Sequence, residues 1–271
     1  MTPDRTRRWQ RVAALSWWHP TVTGSFRLAI AGLCAIALVH RLFWGLESNT
    51  IAGENFLAYL TMESNIFFVI VWTISAFDAF HRMTDPPWLV MLRTIALSWT
   101  TTAGIVFGFL VWQAGERAIR IDVPWSDQLL HFFLPAFAIV DWAFAAGRRP
   151  APWKVVPIVL AFPVIWGAVT MWRGSVIGWY PYYFLDLRQV SGPVEFTLTT
   201  GAALGIFAVV SATLVLLSRR RFARRTARPR IPADDEGIRG LTAPAALRGV
   251  SPSRRRPSRP RPAGGRRRRT R

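Results

Sequence analysis

Six apolar blocks, each close to 20 residues long, set the first limit on what this chain can fold into. About 20 residues is the length at which a helix crosses roughly 30 Å of hydrocarbon. The blocks fall at about 26–46, 56–77, 89–113, 126–146, 155–171 and 194–217. A soluble fold has no use for such a series, so the expected class is all-α, a polytopic membrane bundle of six transmembrane helices followed by a disordered C-terminal tail. The 14 tryptophans support this, because Trp17, Trp18, Trp44, Trp88, Trp112, Trp125 and Trp153 fall near block ends, at the headgroup level that suits an amphipathic ring.

The domain organisation follows: a cytoplasmic N-terminal segment over 1–25, the six-helix domain over 26–217, and an Arg/Pro-rich tail over 218–271. The formal charge of +19 is concentrated in that tail, where a dense series of arginines opposes only Asp234, Asp235 and Glu236. A segment so short of aromatic residues cannot bury enough apolar surface to offset its ordering entropy. Its expected partners are anionic lipid headgroups, at about 1 kcal/mol per basic residue near the surface, or solvent alone. Nothing but charge points to nucleic acid.

Arginines before the first block (Arg5, Arg7, Arg8, Arg11), basic residues between the fourth and fifth (Arg148, Arg149, Lys154) and the tail all lie on one side if the spans number six. The positive-inside rule makes that side cytoplasmic, with both termini inside, and gives a multi-pass protein of the plasma membrane. The first block is too long for a signal-peptide core and is expected to be a retained span. Cys34 is the single cysteine, which excludes an intramolecular disulfide and a multi-cysteine metal site.

Ionisable and polar groups inside spans are costly, and they normally face the bundle interior or a water-filled cavity. The second span meets Thr61, Glu63 and Asn65 in its first turns, and the fourth, running the same way, meets Asp127 and His131. At about 1.5 Å per residue Thr61 and His131 sit at the same depth, about 7 Å below the outer interface. Thr61 and Asn65 are four apart and share a helix face, as do Asp127 and His131. His40, Arg41, Glu47, Gln113, Glu116, Arg173, Tyr180, Tyr182, Tyr183, Asp186 and Glu195 add polar groups at the same level, so a polar chamber open to the outer leaflet is expected.

Such a set supports acyl transfer. A threonine hydroxyl needs an adjacent base, which His131 can supply, and the Asp127 carboxylate one turn earlier could hold the imidazole tautomer. Asn65, Tyr180 or Arg173 could stabilise an oxyanion, with Glu63 and Asp186 as supporting groups. The structural alternative is that Thr61 bonds back to its own helix and that Asn65 and His131 bridge helices. A transporter or ion or proton pathway through Glu63, Asp127 and His131, with no hydrolytic activity, is the competing class. The chain lacks a Gly-x-Ser-x-Gly elbow and the histidines of a zinc hydrolase, and no cofactor or metal is expected. Pro135 and Pro163 are expected to kink their helices, and Asp78, Arg82 and Asp141 to form structural ion pairs at the inner ends.

The segment Tyr59-Leu60-Thr61-Met62-Glu63-Ser64-Asn65 resembles the threonine-bearing helix of the androgen-induced (FAR/AIG-like) membrane protein family, in its bacterial six-helix branch. Asp127-Gln128-Leu129-Leu130-His131 with Pro135, Asp141 and Trp142 resembles that family's histidine helix, and Gly178-Trp179-Tyr180-Pro181-Tyr182 with Asp186 its aromatic loop. The resemblance spans about residues 26–217. Some animal members are intramembrane threonine hydrolases that cleave esters between fatty acids and hydroxy fatty acids and require one threonine and one histidine. The resemblance implies a membrane-lipid substrate and places those two residues at Thr61 and His131. It leaves the oligomeric state open.

Overall fold

The computed structural model describes residues 19–48, 50–82, 84–116, 123–144 and 149–226, and over them the chain is helical with no strand. Helix α1 runs Pro20–Glu47, α2 Leu60–His81, α3 Pro87–Glu116, α5 Val155–Ile177 and α6 Pro193–Thr226. Between α3 and α5 lies α4, built of an α-turn Trp125–Gln128, a π-turn Leu129–Phe133 and an α-helix Leu134–Phe144. All but α4 are individually long and apolar enough to cross a membrane.

Proline and glycine set the helix ends. Pro20 opens α1, where its missing N–H costs nothing, and the ring of His19 caps the Thr21 amide. Gly178 closes α5 in the left-handed region, φ 73°. The helices outrun the apolar blocks: α1 begins six residues before Phe26, and α6 continues beyond Leu217, where the sequence placed the start of the tail. Ser218 is buried, and its hydroxyl accepts the Ala151 amide at 3.0 Å, so the first residues of that expected tail belong to the bundle. The rest of the expected tail, from 227 on, and residues 1–18 lie outside the described residues.

Helix α3 organises the packing. One side of it packs on α2 and α4, against which α1 lies in turn, around Phe68, Trp72, Leu97, Leu130 and Leu134, and the other packs on α5 and α6 around Trp99, Val155, Val159 and Phe207. The outer helices bury little: 17% of the most apolar window of α5 is buried, against 50% for α2 and α3. Val164, Ile165, Val169, Trp172 and Val176 line the outside of α5, a surface that only hydrocarbon tolerates in such an unbroken row.

The proline expectations resolve into two different devices. Pro163 is buried inside α5 and leaves the carbonyl of Val159 without its usual amide, and the Trp99 indole N–H donates to that carbonyl at 3.0 Å. Pro135 lies two residues beyond the π-turn and removes the amide that would bond the carbonyl of His131 four residues earlier. The wider turn accommodates the loss, and π-turns of this kind recur at functional sites.

At the end where α2 and α4 finish, four charges are buried together. Arg27 bonds Asp85 at 3.2 Å and both oxygens of Asp141 at 3.2 Å, and Arg93 pairs with the same two carboxylates. Two cations and two anions close a neutral ring joining α1, α3, α4 and the turn before α3, which is what makes burial of such groups tolerable. Arg27 also donates to the Ser75 carbonyl at 3.2 Å. The structural role expected of Asp141 is borne out here, and Arg82 pairs with Asp78 at 3.4 Å at the same end.

Candidate active site

Thr61 is the second residue of α2, so its amide has no carbonyl within the helix to bond. The phenol of Tyr182, from the loop after α5, stands against both the Thr61 amide and the Thr61 hydroxyl. Burial pushes the Tyr182 phenol up to about 12, against the smaller lowering effect of Thr61, so it stays protonated at neutral pH. Tyr182 is fixed in turn by ring contacts with Tyr59, Trp166 and Phe184.

His131 sits in the π-turn of α4 and is 4% exposed. Its Nδ1 lies 2.8 Å from the Asp127 main-chain oxygen, an acceptor that fixes the proton on Nδ1 and leaves Nε2 as the basic nitrogen. Phe107 of α3 stacks on the ring, centroids 3.8 Å apart and 16° from parallel. Gly104, one turn earlier on α3, makes the approach possible, since a Cβ there would lie 2.1 Å from the His131 carbonyl oxygen. That is the carbonyl released by Pro135, so the glycine, the proline and the π-turn act together to seat the imidazole.

The role assigned to Asp127 changes. Its main-chain carbonyl, and not its carboxylate, orients His131, while the carboxylate bonds Nε of Arg41 at 2.9 Å. Arg41 also lies over the Trp44 ring at 4.5 Å, so α1 holds it in place. A guanidinium so close is a far stronger partner for a carboxylate than a neutral imidazole, which is why the triad geometry does not form.

Thr61, Asp127 and His131 line one cavity of about 320 Å³, together with Arg41, Tyr59, Phe107 and Tyr182. Its roof is the turn Ile51–Glu54, seated backbone to backbone on the end of α1: a Cβ on Gly53 would lie 1.8 Å from the Gly45 carbonyl oxygen. The equal depth expected of Thr61 and His131 thus corresponds to a shared chamber.

The other five residues picked from sequence line no part of it. Asn65 is fully buried, its amide donating to the Thr61 carbonyl at 2.9 Å and its oxygen facing the Cys34 thiol. It serves helix packing and offers no donor to an oxyanion. Glu63 stands two residues from Thr61, on another face of α2. Arg173 bonds Asn55, and Tyr180 folds back onto Gly174 in the last turn of α5. Asp186 organises the loop before α6: Arg188 and Gln189 donate to its carboxylate and hold it well below the usual carboxylate range. His40 is occupied between Ser126 at 3.1 Å and the Trp125 indole at 3.0 Å. Tyr182 and Arg41 were legible as polar groups at this level; their contacts with Thr61 and Asp127 were not.

Comparison with protein-family models, curated proteins and solved structures finds no match to this chain.

Proposed function

We propose that this protein is an intramembrane hydrolase of lipid esters in which Thr61 is the nucleophile and His131 the base. The observation that supports it is the one cavity that both residues line, with Tyr182 on the threonine and the basic nitrogen of His131 making no hydrogen bond among the described residues. The reading is that of a member of the androgen-induced family whose threonine and histidine helices these segments resemble.

In the first step the Thr61 hydroxyl oxygen bonds the ester carbonyl carbon and its proton passes to His131 Nε2. The carbon–oxygen bond to the alcohol then breaks, and the alcohol leaves with that proton. Water repeats the sequence on the acyl-threonine. Its oxygen bonds the acyl carbon, its proton goes to Nε2, and Thr61 leaves as the restored hydroxyl while the free acid departs. Tyr182 is a positioning residue that holds the Thr61 hydroxyl toward the chamber. Asp127 and Arg41 form a neutral pair in its wall.

The same reading makes α4 a sixth crossing. Its segments of 4, 5 and 11 residues are together long enough for about 30 Å at about 1.5 Å per residue. Six crossings with the basic segments inside put the Thr61–His131 chamber near the outer leaflet of the plasma membrane.

The test is covalent labelling of the purified protein with a fluorophosphonate, which traps an activated hydroxyl. Labelling of the wild type and none of Thr61→Ala is expected. Equal labelling of the two contradicts the proposal.

A further inference from the structure

A second cavity meets the Thr61 chamber. It is a slot of about 90 Å³ between α3, α5 and α6, walled by Ala103, Val106, Pro163, Trp166 and Phe207 among others. Thr61, Phe107, Leu110 and Tyr182 belong to the walls of both spaces, so the threonine stands where the polar chamber passes into the apolar slot. On its other side the slot shares Val106, Leu110, Phe184 and Ala203 with a groove of about 220 Å³ between α3 and α6. Phe109 and Leu198 form that groove's rim and are 52% and 67% exposed on the perimeter that faces hydrocarbon.

Many hydroxyls in these helices bond back to the carbonyl one turn earlier, as Thr94 does to Val90, Ser98 to Thr94, Thr100 to Ala96 and Ser211 to Phe207, while those of Ser75 and Thr101 do not. Thr102 and Thr200, one on each side of the slot, have hydroxyl oxygens sealed from solvent with no hydrogen-bond partner among the described residues. These two hydroxyls do not select a hydrocarbon occupant; what points to one is the continuity of the apolar slot with the Thr61 chamber on one side and with the α3–α6 groove on the other.

We infer that the α3–α5–α6 slot is the acyl-chain subsite for a single-chain lipid ester, and that the α3–α6 groove is the door through which the chain passes sideways from the bilayer. The inference rests on the hydrolase reading of Thr61 and His131 for what happens at the head end. The polar chamber takes the hydrated end of the amphiphile, the slot its hydrocarbon, and the junction at Thr61 holds the ester. A chain arriving from the side stays in an apolar medium throughout, whereas arrival through the polar chamber would expose it to water.

The test uses the full-length protein in lipid nanodiscs and palmitate methyl ester carrying a mid-chain diazirine. After illumination, mass spectrometry maps the crosslinks. The expected label falls on α3 and α6 around residues 106–110 and 198–206, disappears when excess unlabelled palmitate methyl ester competes, and is lost in Ala203→Trp, whose indole fills the slot. Label spread evenly over the lipid-facing sides of α1, α5 and α6, or slot label that unlabelled ester cannot displace, overturns the assignment. Competition needs no variant, so the test stands even if Ala203→Trp fails to fold. Labelling needs no bond cleavage either. Saturable slot label with no ester cleavage upholds the subsite and refutes the hydrolase, and cleavage with no slot label refutes the subsite alone.

Discussion

Gly104 of α3 lies so close to His131 of α4 that a Cβ on the glycine would meet the His131 carbonyl oxygen at 2.1 Å. So close an approach fixes the helix–helix distance that carries the imidazole into the chamber.

Adding that methyl group forces α3 and the π-turn apart. Gly104→Ala is expected to cost about 1–3 kcal/mol, as overpacking does, and to lower ester cleavage by more than the stability loss explains. Gly32→Ala is the control, since a Cβ there meets nothing within 4 Å; it is expected to be neutral or stabilising by up to about 1 kcal/mol. Thermal unfolding in detergent and turnover by the folded fraction measure both.

Tyr182→Phe removes the phenol from Thr61 and keeps the ring contacts. Turnover is expected to fall about 10- to 100-fold, a modest share of what hydrogen-bond donors at such sites supply, and stability by about 1–3 kcal/mol as the buried Thr61 amide loses its polar partner. A drop in stability with turnover per folded molecule intact would show the bond to be structural.

The buried ring of Arg27, Arg93, Asp85 and Asp141 gives stability a pH dependence. Burial alone would raise the Asp85 carboxyl, but Arg93 and Arg27 outweigh it and hold it below the ordinary 3.8. A carboxyl depressed in the folded state contributes stability that is fully present above 3.8 and is lost as pH falls through the folded value. The unfolding temperature is therefore expected to hold steady from neutral pH down to about 4 and to fall below it. Asp85→Ala leaves two guanidinium groups sharing the one Asp141 carboxylate, an uncompensated buried charge, and is expected to cost about 3–5 kcal/mol at neutral pH, with the acid-side fall much reduced. A pH profile identical to the wild type would mean that Asp85 is not the titrating group.

Much of this was legible in the sequence, for reasons that also mark where legibility stopped. Apolar length gave the helices, since a run such as Val155–Ile177 has no other stable form in hydrocarbon. It could not give their ends, because Pro20 and Gly178 act through backbone geometry and α6 continues as a helix through a charged stretch. Thr61 and His131 were found by matching depth along parallel helices. Asp127 was placed correctly but given the wrong role, because spacing along one helix cannot show that Arg41, 86 residues away, reaches its carboxylate first. Asn65 shares a face with Thr61, yet its amide closes on the Thr61 carbonyl instead of opening toward the chamber. Arg27 and Arg93 stand as charges inside apolar blocks, yet neither was singled out from the sequence. What pairs them, two aspartates from distant segments, is a property of the packed bundle.

The pairing of Thr61 with His131 is tested most directly by measuring hydrolysis of a fluorogenic fatty-acyl ester by the wild type, Thr61→Ala, His131→Ala and the double variant, each shown to be folded by its unfolding temperature. Residues that act as one unit are not additive, so both single variants and the double variant are expected to fall to the same floor. Separate losses that multiply in the double variant, or activity that survives Thr61→Ala, would contradict the pairing.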